Sequence, residues 1–538
     1  MKASDLFIKS LENEGVEYIY WVPWEENLDL LESIRKSNNI KLILTRNEQT
    51  AVFMAATYGR LTWKAGVAIA TLWPWATNMV TWVAYAQLWW MPVIIITWQK
   101  PIKKSKQWQF QIIDVVSMMK PVTKSANVII SWNRIPSMIR NAFKIAESEK
   151  PGAVHLELPE DIAWEWVEEW YKPMNIEKIR RPIADEKMIK DLIIKLEKAK
   201  TPIVLIWSWA NRKRITKYLS KFITTNNIPF FSSQMWKWVL DERLDQYLWT
   251  AALTENDYIH EAIAEADLIL SVWYDVVEKP TSIIWINWTE TIHINFYNAV
   301  IDDVYFPSLE VVWDIANVFW QLTESKINNK NWDFSKIYEI NKKNHILINS
   351  NISLEKEEKV MFPRRLTNEL RSSLWSDDIL ALDNWLYKVW IARNYPAYKP
   401  NTLLLDNALA TMWAWFSSAM SAKMINPNKN VVCVTWDWWL VMNLWDLETA
   451  VRLNLDITII ILNNSSYWMI KWKQEWAWFW DYGLDFWNPD FIKLAESFWA
   501  KWYSVINPDE FKETLDKTLK EKWLKIIDLA FDYPLEIK

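Results

Sequence analysis

Short runs that are apolar at every position recur along the chain, each followed by a turn and a stretch with helical spacing. The first third contains "VEYIY" (16–20), "IKLILT" (40–45), "GVAIAT" (66–71), "PVIIIT" (92–97) and "AVHLEL" (153–158). A second set follows: "PIVLI", "IPFFSS", "DLILSV", "SIIWIN" and "TIHINF". A third holds "DILALD", "NTLLLD", "NVVCVT", "DITIIILNN" and "LKIIDLAF". Continuous apolar runs suit strands covered on both faces, and alternation with helices predicts parallel α/β sheets. A charged, proline-containing stretch at 170–187 and a polar, Asn/Lys-rich one at 323–360 separate the sets. The pattern therefore predicts three doubly wound parallel-sheet units, over residues 1–170, 188–322 and 360–538.

Composition changes this picture in one respect. The 538 residues include 43 Trp and only 5 Gly; an ordinary chain of this length has roughly 38 glycines. The tryptophans stand at turn positions behind apolar runs, as in "YIYWVPWEEN", "TLWPWATN", "IIITWQKP", "LIWSWAN" and "LSVWYD", where a glycine-rich βα turn is expected. A side chain in a left-handed turn costs about 1–2 kcal/mol. Dozens of such sites would overwhelm a total stability of about 5–15 kcal/mol. We therefore read most of these tryptophans as standing where the working protein has glycine, as when a genome using UGA for glycine is translated with UGA as tryptophan. Genuine tryptophan enrichment is the alternative. The codons of Trp436, Trp438 and Trp439 decide between them, and UGG there excludes the glycine reading.

The remaining bulk properties narrow the function. A net charge of −5 gives no basic surface for nucleic acid. The single cysteine, Cys433, lies within an apolar run, which rules out a disulfide framework and suits a reducing, cytoplasmic compartment. The first 15 residues read as an amphipathic helix and not a signal peptide. Residues 65–99 carry one charge-free segment long enough to suggest a membrane span, but Pro74, Asn78, Gln87 and Pro92 interrupt it.

The chemistry concentrates in "TWDWWLVMN" (435–443). With glycine for tryptophan it becomes Gly-Asp-Gly-Gly at the end of a strand. Asn464, in "ILNNSSYWM", follows the next strand 27 residues later. Neighbouring parallel strands bring their carboxyl ends together, so Asp437 and Asn464 are placed to share a cation. Hard oxygen ligands suit Mg²⁺ holding a diphosphate, and backbone N–H groups of the turn suit its oxygens. An Asx turn capping a helix is the plain structural alternative.

Gly-Asp-Gly followed by Asn-Asn resembles the cofactor motif of thiamine-diphosphate enzymes, and the resemblance extends over nearly the whole chain. "WVPWEENLDLL", the glutamate of "RNEQTAVFMAATYGR" and the turn "TLWPWATN" are similar to the first domain of that family, and "KPGAVHLELPEDI" to that domain's close. Within the family the chain resembles acetolactate synthase, which joins two 2-keto acids with loss of carbon dioxide. "VWYDVVEKP", "AVRLNLDI" and "DYGLDFWNPDFIKLAESF" resemble the catabolic, flavin-free type. The resemblance implies that Glu48 hydrogen-bonds the cofactor's aminopyrimidine ring, and that Asp437, Asn464 and the Ser466 carbonyl hold Mg²⁺. It implies that Met412 is the apolar wedge under the cofactor, and that Trp436, Trp438, Trp439 and Met469 line the cofactor site. Phe110 and Gln111 would reach the active site from the first domain, with one residue more in the local spacing than the catabolic type has. Trp472, taken as a genuine tryptophan, matches one that biosynthetic relatives set against the second keto acid. The active site would lie between two chains of a homodimer or homotetramer.

None of the four histidines matches a catalytic position of the family; His155 and His293 fall in apolar runs and read as core residues. Three other readings stay open at this point: another 2-keto acid decarboxylase or oxidase of the same family, a non-catalytic relative, and a tryptophan-rich structural or membrane protein.

Overall fold

The computed structural model describes residues 1–103, 110–168, 170–177, 181–207, 213–233, 237, 239–251, 259–275, 289–301, 303, 305–354, 359–406, 409–484 and 486–533. It contains three six-stranded sheets in which every neighbouring pair is parallel. The first comprises Tyr18–Trp21 (β1), Lys41–Leu44 (β2), Gly66–Ala70 (β3), Val93–Gln99 (β4), Ser125–Val128 (β5) and Ala153–Pro159 (β6), in the order β2-β1-β3-β4-β6-β5. The second comprises Pro202–Ile206 (β7), Phe230–Ser233 (β8), Tyr247–Ala251 (β9), Leu268–Val272 (β10), Glu290–Asn295 (β11) and Leu309–Val312 (β12), in the order β9-β8-β7-β10-β11-β12. The third comprises Ile379–Leu382 (β13), Leu403–Leu404 (β14), Val431–Trp436 (β15), Ile457–Asn463 (β16), Lys501–Val505 (β17) and Lys525–Ala530 (β18), in the order β14-β13-β15-β16-β18-β17.

The central strands are the ones that the apolar runs mark. β3, β4, β6, β7 and β10 are buried along their whole length, as a sheet covered by helices on both faces requires. β5, β9, β12 and β17 carry no such run, and each stands at the edge of its sheet. The run "SIIWIN" (282–287) lies outside the described residues. The polar stretch at 323–360 is more than a connector, since it contains the helix Ser335–Leu354. His155 is buried in β6 and hydrogen-bonded to the Thr97 hydroxyl at 2.7 Å, and burial pushes its pKa down to about 3. His293, in β11, bonds the Tyr305 hydroxyl and the Tyr297 carbonyl. Both are core residues, as the sequence predicts.

One helix pair joins the first unit to the third. Glu48–Thr62 lies along Ala414–Ile425. Ser421 donates to the Met54 carbonyl at 2.9 Å, and the Thr57 and Ser418 hydroxyls meet at 2.9 Å. Arg60 and Asp406 form a buried ion pair at 3.8 Å. The Glu48–Thr62 helix is also pressed onto its own sheet. A Cβ at Gly59 would lie 2.1 Å from the Pro92 carbonyl oxygen, and one at Gly66 2.1 Å from that of Ala55. At either position any side chain would separate the layers.

The backbone also bears on the tryptophans. Eleven described residues other than glycine have positive φ, and six of them are Trp63, Trp90, Trp273, Trp478, Trp499 and Trp523, with φ between 50° and 96°. Three others are asparagine, which tolerates this region as tryptophan does not. Trp63 ends the Glu48–Thr62 helix in left-handed geometry, its N–H bonded to the Gly59 carbonyl, the place where helices favour glycine. Trp21, Trp89, Trp98, Trp415 and Trp436 are buried with indole N–H groups that meet no acceptor among the described residues, although buried indoles ordinarily find one. Both observations support glycine at many of these positions. Trp499 has φ 57° and is 71% exposed, so little packing depends on it. Trp499→Gly is expected to raise stability by about 1 kcal/mol in urea unfolding. Trp320, inside the helix Ile315–Glu324, is the control, and Trp320→Gly is expected to lower it by about 1 kcal/mol. Loss of stability in both variants contradicts the glycine reading.

Candidate active site

β15 and β16 are paired in register through Trp436 and Leu462, so their carboxyl ends stand side by side. Asp437 begins the short helix Asp437–Val441 directly after β15 and is fully buried. Its Oδ1 accepts the Trp438 N–H at 2.6 Å. Its Oδ2 accepts the backbone N–H groups of Asn464 (3.1 Å) and Ser465 (2.7 Å) and the side-chain amide of Asn488 (2.9 Å). Burial raises the carboxyl's pKa, and these hydrogen bonds oppose the rise. Donors aimed at a buried carboxylate favour its ionised form. Asn464 Oδ1 accepts the Ser466 N–H at 3.2 Å, and Ser465 between them is left-handed, with φ 53°. This strained turn at the end of β16 gathers its amide groups around Asp437. Behind it, Asn463 donates to Asp528, whose carboxyl pKa is raised by burial.

The first unit supplies a second carboxylate. Glu48 opens the Glu48–Thr62 helix and is 5% exposed. Its Oε2 accepts the Asn78 side-chain amide at 2.7 Å, and Asn78 also donates to Asn47, the residue capping the same helix. Two turns singled out from the sequence, "RNEQ" and "TLWPWATN", are thus tied together. Two residues on, Thr50 donates to the buried Asp446 in the helix Trp445–Arg452, and two residues before Glu48, Arg46 pairs with Glu448 at 2.8 Å. Burial pushes the Asp446 carboxyl up to about 6. The helix that Glu48 opens is therefore in direct contact with Trp445–Arg452, the helix that follows the Asp437 turn.

Three models of one enzyme family match along the chain. Residues 1–118 match the thiamine pyrophosphate enzyme N-terminal TPP binding domain, 189–322 the central domain and 386–529 the C-terminal TPP binding domain. The chain belongs to the thiamine pyrophosphate enzymes. An acetolactate synthase of Bacillus subtilis (strain 168) is 28% identical, over 99% of this chain and 93% of its own. A probable acetolactate synthase large subunit of Methanococcus aeolicus is 28% identical, over 99% and 92%. A catabolic acetolactate synthase of Raoultella terrigena is 26% identical, over 98% and 95%.

Thiamine pyrophosphate has to fit the residues this family member presents. Among the described residues, no three histidine, cysteine, aspartate or glutamate side chains come together as a metal site. A cation here would rest on one carboxylate together with amide and carbonyl oxygens, and the hard donors of Asp437 and Asn464 fit that role. The turn around them is crowded. Trp436 is sandwiched between Tyr387 and Tyr533, Trp439 stands edge-on to Trp385 at 4.9 Å, and Trp438 packs against Tyr467 and Phe486. With glycine at these three positions the turn offers bare backbone, and the residues then fit a diphosphate with its cation.

The other residues picked out from the sequence are distributed around this centre. Met412 is partly buried just before the Ala414–Ile425 helix, and its neighbour Trp413 meets Trp82 of the first unit edge-on at 4.8 Å. Met469 and Trp472 lie half-buried on the helix Trp468–Trp476, which has no buried residue. Phe110 is 69% exposed on a turn, and Gln111 has φ 55°. Sequence reasoning missed Asn78, Asp446 and Asn488 as site residues. Asn78 stood inside a quoted motif, and the other two resemble ordinary helix-cap residues. No described helix is long and apolar enough to cross a membrane.

Proposed function

We propose that the chain is a carboligase of the acetolactate synthase kind, dependent on thiamine diphosphate and Mg²⁺. It decarboxylates pyruvate and joins the two-carbon unit to a second 2-keto acid. The observations that carry this reading are a buried Glu48 carboxylate held by Asn78 and the Asp437–Asn464 turn at the paired carboxyl ends of β15 and β16. The relatives' names point to the same chemistry. When bound, thiamine diphosphate supplies the electron sink for decarboxylation. Asp437, Asn464 and the Ser466 carbonyl hold the cation, and the turn at 436, 438 and 439 holds the diphosphate. Met412 and Met469 provide the apolar walls. The Glu48 carboxylate, in a dry pocket, hydrogen-bonds the aminopyrimidine ring and exchanges its proton with a ring nitrogen. The three units are delimited as 1–170, 188–322 and 360–538.

We place the complete active site between two chains of a cytoplasmic homo-oligomer. Phe110 supports this, since an exposed phenylalanine beside Gln111 is free to enter a neighbouring subunit's site. The middle unit is read as flavin-free. Five residues of "VWYDVVEKP", 276–280, lie outside the described residues, but Tyr274 stacks on Tyr305 at 3.9 Å beside the end of β10, where the strand order reverses. Such reversals are where nucleotides bind in α/β sheets.

Three outcomes test these readings, each on the full-length chain with glycine at 436, 438 and 439. Glu48→Gln should bind thiamine diphosphate yet lose at least 100-fold in turnover, and subunits carrying it, mixed with Asp437→Ala subunits, should regain part of the activity. Unchanged turnover ends the mechanistic assignment, and no recovery after verified mixing ends the between-chain site. The purified protein should show no flavin absorbance; a stoichiometric yellow chromophore refutes the flavin-free reading. Trp472 stacks parallel to Trp468 on a helix with no fully buried residue, which supports a role facing substrate. Trp472→Leu is expected to reduce the preference for 2-ketobutyrate over pyruvate by about 10-fold, a pocket-sized discrimination. Equal loss of both products assigns it to packing instead.

A further inference from the structure

Asn488 lies in the loop before the helix Phe491–Ser497. It does not cap the helix. Asp490 does so, accepting the N–H groups of Ile492 and Lys493 at 3.1 Å each. The Asn488 side chain turns back to the end of the sheet instead. Its amide nitrogen lies 2.9 Å from Asp437 Oδ2, 3.1 Å from Asn463 Oδ1 and 3.1 Å from the Ser465 hydroxyl. One side chain thus touches the end of β15, the end of β16 and the left-handed residue between Asn464 and Ser466. An ionised carboxylate can only accept, so the nitrogen must face Asp437 and the amide orientation is fixed. The amide oxygen then points elsewhere. It is buried and meets no donor among the described residues, although buried polar atoms are ordinarily paired. An acceptor left without a donor beside a cation turn suits a ligand that brings its own hydrogen, and metal-bound water is such a ligand.

We propose that Asn488 is a positioning residue of the cation turn: it locks the Asp437 carboxylate against the β16 end in the arrangement that a hydrated divalent cation needs. The inference rests on the reading that the cation binds at Asp437 and Asn464. Outer partners of this kind orient metal ligands and typically influence affinity by about 10–100-fold.

The test uses the full-length chain with glycine at 436, 438 and 439, free of metal, titrated with Mn²⁺ by calorimetry and electron paramagnetic resonance and melted in urea without metal. Asn488→Ala is expected to weaken Mn²⁺ binding by about 10–100-fold, to change metal-free stability little, and to recover turnover in excess Mn²⁺. Asn488→Leu, near the same volume but with neither donor nor acceptor, should behave likewise and guards against a cavity effect. Asp437→Ala should abolish binding at this turn. Lowered stability with unchanged Mn²⁺ affinity in both Asn488 variants overturns the proposal. Mn²⁺ bound by Asp437→Ala as tightly as by the parent overturns the cation reading itself.

Discussion

The packing of Glu48–Thr62 against Ala414–Ile425 is the contact on which the rest of the structure turns. It is built for closeness: hydroxyls of Thr57, Ser418 and Ser421 bridge the helices, and Gly59 and Gly66 leave no gap beneath the first of them. Interiors packed at this density move as units. The first residue of one helix is Glu48, and the residues just before the other include Met412. A shift at the joint would therefore be transmitted to both Glu48 and Met412.

Electrostatics at the joint follow the same logic. Arg60 and Asp406 are buried together, Asp446 is buried against Thr50, and Arg46 closes the outer edge with Glu448. Buried ion pairs contribute little net stability, because desolvation offsets most of their attraction. What they impose is register, since removing either partner strands a charge in the core. That register sets how the first unit meets the third.

The sequence disclosed the buried parts of this architecture and little of its margins. β3, β4, β6, β7 and β10 are legible because both faces are apolar, while β5, β9, β12 and β17 are edge strands whose exposed positions erase the pattern. That Asp437 and Asn464 come together was legible because they follow consecutive parallel strands, and strand register fixes where such residues meet. Asn488 was not, because Asn-Pro-Asp ahead of a helix has an ordinary explanation as a cap, and only coordinates show that Asp490 does the capping. The tryptophans were legible by position alone. A turn that demands positive φ is written into the spacing of the flanking strands, whatever residue occupies it.

The first and third sheets have the same strand order: β2-β1-β3-β4-β6-β5 corresponds position by position to β14-β13-β15-β16-β18-β17. Under that correspondence β3 and β15 are the same strand. The turn after β3 carries Asn78, which holds Glu48, and the turn after β15 carries Asp437. One frame, used twice, presents an amide and a carboxylate at this turn in the first unit and a carboxylate ringed by backbone N–H groups at the same turn in the third. An insertion in either turn would thus disturb one of these arrangements while leaving the strand order intact.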